Sequence, residues 1–393
     1  MNKDTFRKEL IDNLTVNILP YWMEKMVDPR GGFYGRRDGS DALDADAPKG
    51  AILNARILWA FSAAYRLLGD ERYLEMARRA KEYIETYFID REYGGLYWSL
   101  NADGSPLDTK KQFYAIGFAI YGLSEFARAT GDEGAKRLAL ELFEVIERHS
   151  RDRVNGGYIE ATTRDWQPIG DMRLSAKDDN SAKSMNTHLH ILEPYTNLLR
   201  VVPDNEAVRE AVRHCLNIFL DKILDHSNHH LGLFFDMDWT RRDHEISYGH
   251  DIEASWLMLE AAQVLADPEL LQKTLESTRH IALAALEGRC DDGSMIYERH
   301  GDGRYDNDKH WWVQAENVVG QIYLMRFHGM EEMYDKAVQS WEYIRDNIAD
   351  GPSGEWVWRR DEHGNANRQD DKAGFWKCPY HNSRMCIETV ERL

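Results

Sequence analysis

Three features of the sequence predict an all-α (α/α)6 barrel: a Gly-aromatic phrase met six times, paired helical stretches between the phrases, and a short turn inside each pair. The phrase reads Gly31-Gly32-Phe33-Tyr34, Gly94-Gly95-Leu96-Tyr97-Trp98 and Gly156-Gly157-Tyr158. It returns as Gly232-Leu233-Phe234-Phe235, Gly293-Ser294-Met295-Ile296-Tyr297 and Gly354-Glu355-Trp356-Val357-Trp358. The interval is about 60 to 75 residues, which marks one supersecondary unit repeated around a fold. Each phrase predicts a short β-hairpin-like loop, with glycine supplying the turn geometry.

The elements follow in chain order. Helix 4–20 opens the chain without a partner next to it in sequence. Segment 50–68 is apolar nearly all round, the mark of a buried helix, whereas 71–88 is amphipathic, with Arg78, Arg79, Lys81 and Glu82 left for water. The same pairing returns at 111–130 with 133–150, 183–200 with 206–223, 250–265 with 268–286, and 309–328 with 331–348. Short connections such as Gly69-Asp70, Gly131-Asp132 and Asp267-Pro268 make each pair an antiparallel hairpin. Helix 382–393 closes the chain and pairs with 4–20 if the ring closes. The result is one domain over 1–393, with about twelve helices in an inner and an outer ring. An open solenoid is the alternative that the same repeat permits.

Composition narrows the partners. Hydrophobic residues make up 43% of the chain, as in a packed globular protein, and the net charge of -18 speaks against nucleic acid and anionic membranes, which attract basic patches. Cys215, Cys290, Cys378 and Cys386 show no short paired spacing and read as reduced thiols. The first ten residues lack an apolar leader core, and no long apolar run follows. These features predict a cytoplasmic protein without a membrane partner, as a monomer or a homodimer.

Chemically capable residues collect at the starts of the inner helices, which run the same way and so crowd one end of the barrel. Arg56 lies early in one and Tyr114 in the next. Asn186 and His190 share a face at i+4. The stretch Ser247-Tyr248-Gly249 leads into a helix opened by His250, with Glu253 and Trp256 at successive i+3 steps. Trp312 and Glu316 follow at i+4, then His381 and Arg384 at i+3. Polar and aromatic groups delivered by six helix starts predict a pocket, since a packed core carries Leu, Ile and Val there. His188, two residues from His190, faces elsewhere, and Trp311 cannot share the cavity face of Trp312. His226, His229 and His230 sit in a loop without a recognised ligand spacing, so no metal is expected. There is no nucleophile elbow, P-loop or dinucleotide fingerprint. Histidines without a serine or cysteine nucleophile point to proton transfer, because imidazole titrates near neutral pH.

Five stretches carry a resemblance. Ile52-Leu53-Asn54-Ala55-Arg56-Ile57-Leu58-Trp59, Lys183-Ser184-Met185-Asn186-Thr187-His188-Leu189-His190 and Ser247-Tyr248-Gly249-His250-Asp251-Ile252-Glu253 are three of them. Trp311-Trp312-Val313-Gln314-Ala315-Glu316 and Trp376-Lys377-Cys378-Pro379-Tyr380-His381-Asn382 are the others. Together they resemble the cellobiose 2-epimerases of the N-acylglucosamine 2-epimerase superfamily, over nearly the whole chain. The resemblance implies the (α/α)6 barrel and inversion of C2 of a reducing-end aldose without a cofactor. It implies His250 and His381 as the acid/base pair, and His190 near the ring oxygen and anomeric hydroxyl. Arg56, Tyr114 and Asn186 would bind the C1 and C2 oxygens, Glu253 and Glu316 would orient histidines or hold hydroxyls, and Trp312 and Trp376 would flank the sugars. Ser383 departs from the pattern, where the family carries glycine.

The partner expected is therefore a small carbohydrate: cellobiose, mannobiose, lactose or mannose. Trp256 is expected to offer an indole plate to a sugar ring, and Arg384 to help bind it. Two rival chemistries use the same residues. Aldose–ketose isomerisation returns the proton to C1 in place of C2. An inverting glycosidase would use Glu253 and Glu316, with carboxyls roughly 6.5–9.5 Å apart. Contacts to an outer sugar are expected from loops 160–182, 225–249 and 359–378.

Overall fold

Apolar stretches become inner helices here, and amphipathic ones the outer helices that cover them. The computed structural model describes residues 1–393. Helix α1 (Lys3–Asp12) runs through a π-helical turn (Asn13–Ile18) into α2 (Leu19–Lys25), making one outer rod longer than the 4–20 expected. Inner and outer helices then alternate: α3 (Ala51–Leu68) and α4 (Glu71–Tyr83), α5 (Phe113–Thr130) and α6 (Glu133–His149), α7 (Met185–Val201) and α8 (Glu206–Ile218). They continue with α9 (Tyr248–Leu265) and α10 (Pro268–Ala285), α11 (Trp311–His328) and α12 (Met333–Tyr343), and end on inner helix α13 (His381–Arg392).

Each inner helix packs on the next, and α13 packs on both α11 and α3 while α1 covers it. The ring is therefore closed, and the open solenoid does not form. The helix turns obey local chemistry. Gly69 ends α3 in the left-handed conformation at φ 70°, and the side chain of Asp70 caps α4 by accepting from the Arg72 backbone N–H. Asp132 and Asp267 cap α6 and α10 in the same way.

The Gly-aromatic phrases are the hairpins expected. Five of the six form an antiparallel bridge between the end of an outer helix and the first aromatic or apolar residue of the phrase, from Val27 with Phe33 to Ala349 with Trp356; in the fourth the bridge joins Leu224 to Leu231, just before Gly232. Two-residue ladders then tie neighbouring units: Lys49–Gly50 with Ser99–Leu100, Lys111–Gln112 with Ala161–Thr162, Lys183–Ser184 with Phe234–Phe235. Ile246–Ser247 pairs with Glu298–Arg299 and Lys309–His310 with Arg359–Arg360, while a bridge from Arg37 to Ala373 joins first unit to last. This girdle surrounds the N-terminal ends of the inner helices, where the candidate residues lie.

A buried ion pair recurs beneath it. Lys49, Lys111 and Lys183 reach Asp28, Asp90 and Asp152 at 2.7, 2.8 and 2.8 Å. Each ammonium also donates to a glycine carbonyl of its phrase, Gly31, Gly94 or Gly156. The charges are buried, so each depends on its partner.

Candidate active site

Arg384, on the first turn of α13 and fully buried, organises the floor of the pocket. Its Nη2 donates to Glu253 at 2.5 Å and to Glu316 at 2.7 Å, and its Nη1 donates to Glu193. The guanidinium lies over the rings of Tyr380 (4.3 Å to the centroid) and Trp256 (4.7 Å). Trp256 in turn donates its Nε1–H to Glu316 Oε2 at 2.9 Å.

Three histidines stand above this floor. His381 Nδ1 is 2.7 Å from Glu316 Oε1, and His190 Nδ1 is 2.9 Å from Glu193 Oε2. A carboxylate only accepts, so Nδ1 carries the hydrogen in both rings and Nε2 keeps a free lone pair. His250 has no such partner: its Nδ1 meets the Ser247 hydroxyl at 2.7 Å. Trp312 packs against both His250 and His381, with ring centroids 4.7 and 5.6 Å away. His190 packs on Tyr114 and Phe118.

The charge states follow from burial and neighbours. Burial pushes His250 down to about 3 and lowers His190; burial with the nearby Arg384 and Arg56 cations holds His381 far below the ordinary range. All three imidazoles are neutral at neutral pH. Burial opposes ionisation of Glu193, but the Arg384 cation and the His190 hydrogen bond win and hold it down to about 2. Burial, then the Glu316 charge, push Glu253 up to about 8. Burial raises Glu316 as well. Glu316 nonetheless accepts from Trp256, Arg384 and His381, whereas Glu253 Oε2 has no partner. Of the two, Glu253 carries the proton.

Arg56 differs from Arg384. It is buried and pairs with no carboxylate; its Nη2 donates to the Tyr114 hydroxyl at 2.9 Å, and the guanidinium lies over Phe118 and Tyr380. A buried cation without a counter-ion is poised for a developing negative charge. Asn186 lines the adjoining cleft, of about 590 Å³, with His250 and Glu160, and its Oδ1 has no partner. Half-buried Trp376 packs against Tyr114 and Trp98.

Most of the expected residues therefore meet, with some differences. Helix α9 begins at Tyr248, so His250 sits inside its first turn; Ser247, held in the ladder with Glu298, is its N-terminal neighbour. Trp256 is buried under Arg384 and orients Glu316, so its face is not open to a sugar, and Arg384 is closed off by its three carboxylates. Both His188 nitrogens are used structurally, Nδ1 toward the Ser184 carbonyl and Nε2 as acceptor from the Tyr158 N–H. Trp311 is buried edge-on behind His381. His226, His229 and His230 go separate ways, to the Leu220 carbonyl, a stack on His280, and Asp251. Glu253, Glu316 and His381 bring ligand atoms within 4.8 Å of one another, with the guanidinium of Arg384 seated on both carboxylates. Ser383 is accommodated within α13.

The sequence reading missed Glu193, Tyr380 and the role of Ser247. Glu193 stands at i+3 from His190 on α7, a signal that was available. The cleft is lined by parts of loops 160–182 and 225–249 and, unexpectedly, by Tyr297, Glu298, His300 and Asp306. No helix is long and apolar enough to cross a membrane.

Known proteins resemble the chain along its full length. Residues 32–384 match the family described as N-acylglucosamine 2-epimerase. The cellobiose 2-epimerase of Bacteroides fragilis is 56% identical over 389 residues, 98% of this chain and 99% of the relative. That of Ruminococcus albus is 39% identical over 98% of both chains. The solved structure of cellobiose 2-epimerase from Bacillus thermoamylovorans superposes with a TM-score of 0.95 at 36% identity, covering 99% of this chain and 100% of the other. A D-mannose isomerase shares the fold at TM-score 0.86 and 21% identity, covering 100% of this chain and 98% of the other. The (α/α)6 barrel and the pocket thus belong to a sugar epimerase or isomerase, and the chain is a member of the N-acylglucosamine 2-epimerase family.

Proposed function

We propose that the protein epimerises C2 of the reducing-end glucose of β-1,4-linked disaccharides, cellobiose foremost, through a cis-enediolate and without a cofactor. The observation that carries this reading is the pairing of two neutral imidazoles from different inner helices against one indole, Trp312, beside an uncompensated arginine.

The C2 proton becomes acidic only when C1 is an aldehyde, so the ring must open first; His190, its Nδ1–H fixed by Glu193, serves that step at the anomeric oxygen. His381 Nε2 then takes the C2 proton. The C–H electron pair becomes the C1–C2 double bond, and the aldehyde oxygen takes a negative charge that Arg56 and Tyr114 receive. Glu316 stabilises the imidazolium formed on His381. His250, neutral at rest, takes a proton from solvent as the enediolate charge develops and delivers it to the opposite face of C2. The C1–C2 π pair forms the new C–H bond, the oxygen lone pair restores the C1 carbonyl, C2 is inverted, and His381 returns its proton to solvent. In the reverse direction the two histidines exchange roles. Asn186 holds a sugar hydroxyl, and Trp312 and Trp376 flank the rings.

The glycosidase rival is disfavoured, because Glu253 and Glu316 lie within 4.8 Å of each other beneath Arg384, closer than the roughly 6.5–9.5 Å that an inverting pair needs. The deciding experiment is incubation with cellobiose in D2O followed by NMR. Deuterium at C2 with a glucosyl-mannose product supports the reading. Deuterium at C1 with a ketose assigns isomerase activity instead, and release of free glucose assigns hydrolysis.

A further inference from the structure

Glu355 is held in a backbone conformation that three of its counterparts in the repeat meet with glycine. The second position of the Gly-aromatic phrase is left-handed at Gly32, Gly95 and Gly157, with φ of 60, 68 and 76°. In the last phrase that position is Glu355, at φ 62° and fully buried. A glutamate there is strained, and strain persists where the surroundings over-determine it.

The carboxylate explains the exception. Oε1 accepts from Lys377 Nζ at 2.7 Å, from Asn382 Nδ2 at 2.6 Å and from the Trp356 N–H at 2.8 Å, while Oε2 accepts from Trp22 Nε1 at 2.6 Å. Lys377 lies four residues before His381 and Asn382 directly after it. One buried carboxylate thus grips the turn that carries His381 at both ends and ties it to α2, across the seam where the ring closes. Lys377 also lies over Trp311, whose edge backs His381. The counterpart positions in the other units carry Gly32, Gly95, Gly157, His230 and Ser294, none of them a carboxylate.

We propose that Glu355 is the positioning residue of His381, fixing its imidazole against Glu316 without touching substrate. This rests on His381 being one of the acid/base pair. A misplacement of about 1 Å at a proton-transfer group costs up to 10²-fold in rate, so the effect falls on kcat.

The test compares Glu355→Gln, Glu355→Gly (which suits the left-handed backbone) and Glu355→Gln/Lys377→Met with His381→Asn, in kinetics on cellobiose and in NMR of histidine-labelled protein. The hydrogen-bonded Nδ1–H signal of His381 is the one lost in His381→Asn. Positioning predicts kcat about tenfold lower in Glu355→Gln with KM within twofold, and a shifted or broadened Nδ1–H signal. The double variant, which removes the stranded lysine, regains thermal stability and not kcat. If Glu355→Gln keeps kcat and the signal, or if the double variant restores both stability and kcat, Glu355 is a structural residue only and the proposal is overturned. Should Glu355→Gly fail to fold, the Gln variants decide alone. A fully active His381→Asn would instead remove the catalytic reading, and the proposal with it.

Discussion

Glu316 Oε1 lies 2.7 Å from His381 Nδ1 and 2.7 Å from Arg384 Nη2, so one carboxylate oxygen both orients an imidazole and anchors the guanidinium beneath it. Replacing Glu316 by Gln turns an obligate acceptor into a group that can also donate, and frees the His381 tautomer. We expect kcat to fall about 10²-fold or more with the fold kept, as for loss of an aligned proton-transfer group. Steady-state kinetics beside a thermal melt checks this; an unchanged kcat would sink it.

The two histidines should be separable from stability. His250→Asn and His381→Asn are each expected to lower kcat by about 10³-fold or more, near the upper range for general acid–base catalysis, while melting within a few degrees of the parent. If C2 deuteration survives at near-parent rate in either variant, that imidazole is not one of the pair.

Arg56 has no carboxylate to strand. Arg56→Met is therefore expected to be folded, yet to lose about 10²–10³-fold in kcat, the worth of one charge-stabilising donor. By contrast Arg384→Met would leave the Glu193 and Glu316 carboxylates buried without their cation, at a cost of about 3–5 kcal/mol or more. Urea unfolding of both variants tests the contrast, and equal destabilisation would count against it.

Glu253 sets a pH dependence of stability. Its folded pKa is about 8 against 4.5 unfolded, so its contribution is fully present below pH 4.5 and is lost as pH rises through 8. Glu253→Gln removes that titration. The variant should therefore gain on the parent progressively as pH rises from 4.5 to 8. Chemical unfolding at several pH values reads it out, and parallel stability curves would refute the assignment of the proton.

The repeated ion pairs should behave as pairs. Lys183→Met strands Asp152 and is expected to cost about 3–5 kcal/mol, whereas Lys183→Met with Asp152→Asn should recover much of that loss. A double-mutant cycle by urea unfolding measures the coupling, and additive losses would show none.

The barrel was legible because its signals are local and periodic: six glycine phrases, apolar stretches between them, Gly-Asp turns. Helical spacing also placed Asn186, His190, His250, Trp312, Glu316 and His381 at one end. What spacing does not give is depth. Trp256 shares a face with Glu253, yet sits lower on α9 and is roofed by Arg384, so its indole orients a carboxylate. Nor does spacing give partners from distant segments. Glu193 and Tyr380 are separated by 187 residues and meet only once the ring closes, as do the lysines and aspartates under the girdle. Glu355 was in view as a member of its phrase, but its left-handed backbone is a property of coordinates alone.

The girdle of two-residue ladders has an evolutionary corollary. It pins the starts of α7 and α9, which carry His190 and His250, while the cleft is walled by 172–181 and by the hairpin 297–306, whose strand Glu298–Arg299 is itself part of the girdle. Segment 172–181 is thus the part of the cleft wall that sequence change can reshape while the ladders stay intact.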